Sequence, residues 1–146
     1  MIRENRGHVV NMASSLAFAG TVQVADYCAS KAGVYTFNEA LRLELKDAGI
    51  RGVKTTVVCT GKVNTGMFKG VQIRFPFLTP TLRPESVASQ VVGAVCRGDE
   101  EVWAPLFVRG VPLLRLLPTP IYDWLQGLIG VTSGMKGFRG RTTAAK

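Results

Sequence analysis

The chain has 146 residues, the length of a single domain, with 47% hydrophobic and 19% charged residues, and this balance excludes disorder throughout the chain. Lys and Arg number 18 against 10 Asp and Glu, and the net charge of +8 is compatible with contacts to phosphates or anionic lipid heads. Cys28, Cys59 and Cys96 form no C-x-x-C pair, so neither a zinc site nor a disulfide framework is indicated. We interpret them as reduced, mostly buried thiols.

The apolar stretches do not match targeting or membrane-spanning signals. Residues 1–7 carry three charges and no apolar run, which is unlike a signal peptide. No run of 18 uninterrupted apolar residues occurs, so no clear transmembrane helix is predicted. The most apolar region, residues 102–131, is interrupted by charged residues and prolines.

The first half of the chain predicts a strand, a helix and a second strand. Residues 8–13 form an apolar run typical of a buried strand, and residues 14–20 are small and turn-like. A helix is predicted over residues 24–48, with Gly49 as its C-cap and a buried face that consists of Val34, Phe37, Leu41, Leu45 and Ala48. Residues 54–59 are rich in β-branched side chains and predict the second strand.

The second half predicts a loop, a helix, a short strand and an apolar end. After a loop over residues 60–83, a helix begins at Pro84 and ends at Gly98, and its predicted buried residues are Val87, Ala88, Val91, Val92 and Val95. Residues 101–104 predict a third strand, followed by one or two apolar helical pieces and a basic tail. Strands that alternate with helices predict an α/β fold with a parallel sheet. No G-x-G-x-x-G motif is present.

Three residues suggest chemistry at the end of the first strand. Tyr27 and Lys31 are four residues apart, so they lie on one helix face, and Ser14 follows the strand at the edge where α/β sheets bind ligands. A nearby ammonium lowers the pKa of a phenol from about 10, and the phenol can then exchange a proton with an alcohol or ketone. Ser14 would hold the same substrate oxygen. Taken alone, a Y-x-x-x-K pair is a weak signal, because such pairs are common on solvated helix faces.

A longer stretch adds context to these three residues. The segment closely resembles the catalytic region of the short-chain dehydrogenase/reductase superfamily, through NMASSLAFAGTVQVADYCASKAGVYTFNEALRLEL and then CTGKVNTGM. The resemblance implies that Ser14 orients the substrate, Tyr27 is the acid/base, and Lys31 assists Tyr27 and contacts the nicotinamide ribose. It also implies that the nicotinamide of NAD or NADP is lined by Gly61, Val63 and Thr65. Thr60 stands where the family usually has proline, which predicts a less rigid loop.

The family's N-terminal half has no counterpart in the chain. That half carries the glycine-rich turn, the selector for NAD or NADP, an N-N-A-G strand and a helix asparagine of the proton relay. We therefore expect residues 1–104 to be the catalytic half of a doubly wound, Rossmann-type sheet, and residues 105–146 to be an apolar helical extension with a basic tail. A partial gene model or a truncated isoform would explain this.

The loop and the apolar end resemble one branch of the family, the retinol dehydrogenases and 17-beta-hydroxysteroid dehydrogenase 11-like proteins. This similarity implies a lipid alcohol or ketone as substrate and a location at the cytosolic face of the endoplasmic reticulum or at lipid droplets. A lid over the lipid and a simple core cover are equally open interpretations of Met67, Phe68, Phe75, Phe77 and Leu78.

The C-terminal region has two interpretations. Residues 102–131 either lie in a membrane interface or pack on the sheet or a second subunit; in the first case the aromatic anchors are Trp103, Tyr122 and Trp124, and Arg109 and Arg115 face lipid phosphates. The basic residues of the tail are Lys136, Arg139, Arg141 and Lys146. Phe138 is the single aromatic residue between them, so nucleic-acid binding is not expected.

Two functions from different classes follow. The first is an NAD(P)-dependent oxidoreductase segment acting on a retinoid or steroid alcohol, without a metal. The second is a catalytically silent truncated fragment that binds a membrane or a partner through its C-terminus. The resemblance also implies a homodimer through the Tyr27 helix, whose second face is expected to expose Tyr35 and Leu43.

Overall fold

The computed structural model describes residues 1–67, 70, 80–131, 134 and 137. Three strands and two helices alternate as predicted, and two further helical elements complete the described part: β1 (Gly7–Met12), α1 (Ala25–Asp47), β2 (Val53–Thr60), α2 (Pro84–Arg97), β3 (Glu101–Ala104), a 3-10 segment (Leu106–Leu116) and α3 (Thr119–Ile129). A short 3-10 turn (Ser15–Ala17) lies between β1 and α1. The predicted α/β class and the apolar helical extension are confirmed.

The three strands form one parallel sheet in the order β1-β2-β3. Val10 lies opposite Thr56, and Val58 lies opposite Val102. Because all three strands are parallel, their carboxyl ends meet at one edge of the sheet. The residues that follow β1 and β2, including Ser14 and Gly61, are therefore brought to the same edge.

The two long helices cover opposite faces of this sheet, as in a doubly wound fold. On one face, Val57 and Cys59 pack with Val34 and Tyr35 of α1. On the other face, Val58 and Val102 pack with residues of α2, chiefly Ala94. Buried parallel strands need apolar cover on both faces, which explains the β-branched composition of β2.

The buried face of α1 differs from the predicted one. Phe37 is 58% exposed and Ala48 is also exposed, whereas Asn38 is only 3% exposed. Asn38 can be buried because its Oδ1 accepts a 2.9 Å hydrogen bond from Asn11 Nδ2 of β1. The expected exposure of Tyr35 is also wrong, since its ring packs edge-on against Phe18 at 4.6 Å.

The buried face of α2 is narrower than predicted. Val87 and Ala94 are buried, but Ala88 is exposed and Val92 is 61% exposed. A helix lying on a sheet presents only one stripe to it, and Ala94 occupies that stripe. The helix ends at Gly98 as predicted, because Gly98 adopts a left-handed φ of 78°.

The C-terminal elements carry a largely exposed apolar surface. Their exposed residues are Leu106, Phe107, Leu113, Leu116, Leu117, Ile121, Trp124 and Leu128. Within the described residues, no helix has the length and hydropathy that crossing a bilayer would require. Trp103 is not an exposed anchor as expected, because it packs against Phe18 and donates to Glu101. The basic tail residues Lys136, Arg139, Arg141 and Lys146, together with Phe138, lie outside the described residues.

Candidate active site

Ser14 is fixed at the carboxyl edge of the sheet. Ala13 N donates to Val58 O, which continues the β1-β2 ladder to the residue before Ser14. Ser14 itself is 6% exposed, and its Oγ accepts from Leu16 N at 3.2 Å, which caps the Ser15–Ala17 turn. The same hydroxyl lies 3.4 Å from Thr60 O at the end of β2.

Tyr27 and Lys31 approach Ser14 from the first turns of α1. Lys31 Nζ lies 5.6 Å from the centroid of the Tyr27 ring and donates to Met12 O, the last residue of β1, at 2.8 Å. The Tyr27 hydroxyl is hydrogen-bonded to Ser14. The three residues that the sequence singled out are thus brought together by the end of β1 and the start of α1.

The acidity of Tyr27 differs from the sequence-based expectation. Half-burial raises the pKa of the phenol above its usual 10.0; the Ser14 hydrogen bond works in the opposite direction, and Cys28 adds a smaller upward contribution. The pKa of Tyr27 is therefore shifted in the direction opposite to the expected one, and burial, Ser14 and Cys28 account for the shift. At neutral pH the hydroxyl is a proton donor.

The expected nicotinamide residues lie on the loop that leaves β2. Gly61 N donates to Ala104 O at 2.8 Å, so the loop begins beside the end of β3. Val63 forms a parallel bridge with Leu82, and Thr65 N donates to Val63 O at 2.9 Å. Thr65 is exposed. Of the expected lid, Phe68, Phe75, Phe77 and Leu78 lie outside the described residues, while Met67 is 46% exposed.

Sequence reasoning missed the backbone groups that hold these side chains. The carbonyls of Met12 and Thr60 accept from Lys31 and Ser14 respectively. Every residue has a backbone carbonyl, so its role cannot be predicted from the residue type, and only the predicted ends of the strands indicated this edge of the sheet. Among the described residues, no group of three or more His, Cys, Asp or Glu side chains is placed to hold a metal ion.

Comparison with known families assigns the chain. The family model for short chain dehydrogenases matches residues 1–74, which is half of the chain. The chain belongs to the short-chain dehydrogenase family. The matched part contains Ser14, Tyr27, Lys31 and the loop with Gly61, Val63 and Thr65.

Curated relatives extend the similarity of this short-chain dehydrogenase towards its C-terminus. It is 45% identical over 142 residues to retinol dehydrogenase 10 of Xenopus tropicalis, covering 94% of this chain and 41% of the relative. The human retinol dehydrogenase 10 is 43% identical over 142 residues, again covering 94% of this chain and 41% of the relative. The chain therefore spans less than half the length of these relatives.

Solved structures share the fold. A short chain dehydrogenase from Burkholderia cenocepacia, in complex with NADP, superposes with a TM-score of 0.65 at 22% identity, covering 88% of this chain and 50% of that one. A short chain dehydrogenase from Burkholderia phymatum, in complex with NAD, superposes with a TM-score of 0.62 at 21% identity, covering 80% of this chain and 50% of that one. At this identity the likeness concerns the architecture of the short-chain dehydrogenase sheet.

The donor set at the sheet edge fits the nicotinamide end of a dinucleotide. An ammonium, a phenol and a serine hydroxyl converge there. These groups match the hydroxyls of a ribose and the oxygen of an alcohol or ketone. The pyrophosphate end of such a ligand normally needs a glycine-rich turn at a helix N-terminus, and the chain contains no G-x-G-x-x-G sequence.

Proposed function

We propose that the chain supplies the catalytic half of an NAD(P)-dependent oxidoreductase that interconverts an alcohol and its carbonyl compound. The observation that carries this proposal is the assembly of Ser14, Tyr27 and Lys31 at one point of the sheet edge. Lys31 and Tyr27 would hold the ribose of the cofactor, and Gly61, Val63 and Thr65 would line its nicotinamide. When bound, the cofactor supplies the acceptor or donor of the hydride.

Each residue has a separate task in this reaction. In carbonyl reduction, the Tyr27 hydroxyl gives its proton to the carbonyl oxygen of the substrate while the carbonyl carbon gains a hydride. In alcohol oxidation, the Tyr27 phenolate takes the hydroxyl proton and the carbon loses a hydride. Ser14 holds the substrate oxygen beside Tyr27. Because the pKa of Tyr27 is raised, the chain's own residues favour the proton-donating form.

We propose a retinoid or steroid alcohol, or the matching carbonyl compound, as the substrate class. The retinol dehydrogenase 10 relatives support this class through their names and identity. The exposed Met67 on the loop after β2 is compatible with an apolar ligand.

The test measures turnover of retinol, retinal and a hydroxysteroid with each of NAD(H) and NADP(H), in the complete reading frame that contains residues 1–146. Tyr27→Phe should lower kcat by about 10²–10⁴-fold, because it removes the acid/base and keeps the ring. The matched control is Tyr35→Phe, which loses a hydroxyl eight residues along the same helix. A Tyr27→Phe variant with more than about a tenth of wild-type kcat would contradict the proposal.

We further propose that the exposed apolar face of the C-terminal elements binds a lipid surface, at the endoplasmic reticulum or lipid droplets. On α3 and the residue leading to it, Leu117, Ile121, Trp124 and Leu128 recur at spacings of 4, 3 and 4, so they form one stripe. Asp123 is the single acidic residue in residues 105–131, which also carry Arg109 and Arg115. A cationic, apolar face is suited to anionic membranes.

Vesicle sedimentation tests the lipid proposal. The 146-residue chain should pellet with phosphatidylcholine/phosphatidylserine vesicles, and replacing Leu113, Leu116 and Trp124 by serine should weaken binding at least tenfold. The control is the replacement by serine of Phe37 and Leu43, which are also exposed but lie on α1. A chain that never pellets with the vesicles, or equal losses in both variants, would instead support an extension packed on the sheet or on a second subunit. We also propose a homodimer through the Tyr27 helix, on which Leu43 is exposed, and sedimentation equilibrium of a Leu43→Ser variant tests that contact.

A further inference from the structure

Three successive backbone carbonyls between Ser14 and Tyr27 are each held by a distant side chain. Arg115 Nε donates to Phe18 O at 2.6 Å, and Gln126 Nε2 donates to Gly20 O at 3.1 Å. The carbonyl between them, that of Ala19, lies 4.0 Å from Cys28 Sγ. Arg115 belongs to the Leu106–Leu116 segment and Gln126 to α3, so both C-terminal elements contact the backbone of residues 18–20.

We propose that Arg115 and Gln126 are positioning residues, which fix residues 18–20 and thereby set the place of Ser14 relative to Tyr27. The inference rests on the proposed function, because the Ser14–Tyr27 geometry matters for that reaction. It assigns to the C-terminal elements a part in the active site, although none of their side chains is placed in contact with the substrate oxygen.

The connection between Ser14 and Tyr27 has little structure of its own. It contains one 3-10 turn of three residues, and Gln23 adopts a left-handed φ of 67° that non-glycine residues rarely adopt. Short 3-10 turns have poorer hydrogen-bond geometry than α-helices. Contacts from outside are therefore needed to hold this connection in one conformation.

The turn is pinned at both of its ends. At the first end, Ser14 Oγ caps it and contacts Thr60 O. At the other end, Phe18 N closes it on Ser15 O, and Phe18 O accepts from Arg115. A displacement of about 1 Å at a reacting group is enough to lower turnover by about 10²-fold. Without the Arg115 contact, the second end of the turn would be held by the packing of the Phe18 ring against Tyr35 and Trp103, while its carbonyl lost its side-chain donor.

The experiment compares four variants of the complete reading frame that contains residues 1–146, in detergent. Arg115→Leu removes the donor, and Arg115→Lys restores one. Gln126→Glu replaces the donor by an acceptor of the same size. Arg109→Leu removes an exposed arginine from the same segment and is the charge-matched control. The readouts are amide hydrogen exchange of a peptide covering residues 15–24, and kcat and KM for the alcohol.

We expect Arg115→Leu and Gln126→Glu to accelerate exchange in residues 15–24 at least tenfold, with unchanged exchange in β2. Their kcat should fall at least tenfold with KM changed less than threefold, Arg115→Lys should recover most of kcat, and Arg109→Leu should match the wild type. Unchanged exchange in residues 15–24 would overturn the inference, and so would faster exchange with unaltered kcat. A wild-type protein without turnover would refute the proposed function instead, and exchange would then decide whether the turn is held by Arg115 and Gln126.

Discussion

Replacing Ser14 by alanine removes one hydroxyl that makes three contacts. Ser14 Oγ caps the Ser15–Ala17 turn through Leu16 N, lies 3.4 Å from Thr60 O, and is hydrogen-bonded to Tyr27. An N-cap to alanine change costs about 1 kcal/mol, and a lost neutral hydrogen bond costs about 1 kcal/mol. The Thr60 contact is long and adds little. We therefore expect Ser14→Ala to lower the free energy of unfolding by about 2 kcal/mol.

The expected effect on turnover is larger than the effect on stability. If Ser14 holds the substrate oxygen, its loss resembles removal of a donor to a developing oxyanion, which costs about 10²–10³-fold in kcat. The pKa of Tyr27 should also rise further, because the Ser14 hydrogen bond lowers it at present. Alcohol oxidation needs the phenolate, so its pH profile should shift to higher pH. Carbonyl reduction needs the phenol, so its decline at alkaline pH should shift in the same direction.

The assay combines urea unfolding with steady-state rates in both directions across pH. Ser15→Ala is the control, because Ser15 contributes its carbonyl to the turn through Phe18 N. Ser14→Ala with near wild-type kcat per folded molecule would refute this account of Ser14. An oxidation profile that stays at the same pH would refute the assigned Ser14–Tyr27 coupling.

Two further predictions concern the sheet and its ends. Burial raises the pKa of Tyr35 from 10.0 to about 12, and the charge of Glu101 and the hydrogen bond between Tyr35 and Glu101 contribute to this rise. The wild type should therefore gain stability from Tyr35 below pH 10 and lose that stability as the pH rises towards 12. Tyr35→Phe should remove that part of the pH dependence in thermal unfolding followed by circular dichroism, and an identical alkaline decline in both proteins would count against it. Val58→Ala, at a fully buried position, should lower the free energy of unfolding in urea by about 2 kcal/mol. Val92→Ala, at an exposed position, should change it by less than about 0.5 kcal/mol. Equal effects would contradict the assigned faces of β2 and α2.

Element boundaries could be predicted closely where the chain carries local signals. Pro84 marks the start of α2, Gly98 marks its end, and the strand at residues 101–104 lies where predicted. The grouping of Ser14, Tyr27 and Lys31 also followed from local spacing and the edge rule for parallel sheets. These features depend on neighbours in sequence, so the sequence alone contains them.

The errors arise where a distant partner decides the outcome. Phe37 was expected inside, but Asn38 is buried instead, because Asn11, 27 residues earlier, satisfies its amide. Trp103 was a membrane anchor in one of the two interpretations of residues 102–131, but its ring packs against Phe18 and its Nε1 donates to Glu101. The direction of the Tyr27 pKa shift likewise depends on how much protein covers the phenol, which spacing does not reveal.

The two proposals for the C-terminal elements assign two tasks to different side chains. Gln126 contacts Gly20, whereas Trp124 and Leu128 of α3 are exposed and form part of the apolar surface. Full burial of a large apolar side chain is worth about 1.5–3 kcal/mol, so a few such residues suffice for stable lipid contact. The donors to residues 18–20 and the exposed apolar stripe share no side chain. Serine at Trp124 should therefore weaken vesicle binding and spare kcat in detergent, whereas Arg115→Leu should lower kcat and leave vesicle binding no weaker than Arg109→Leu does. If both variants moved both properties together, the two faces would act as one unit, and the lipid contact would itself hold the turn between Ser14 and Tyr27.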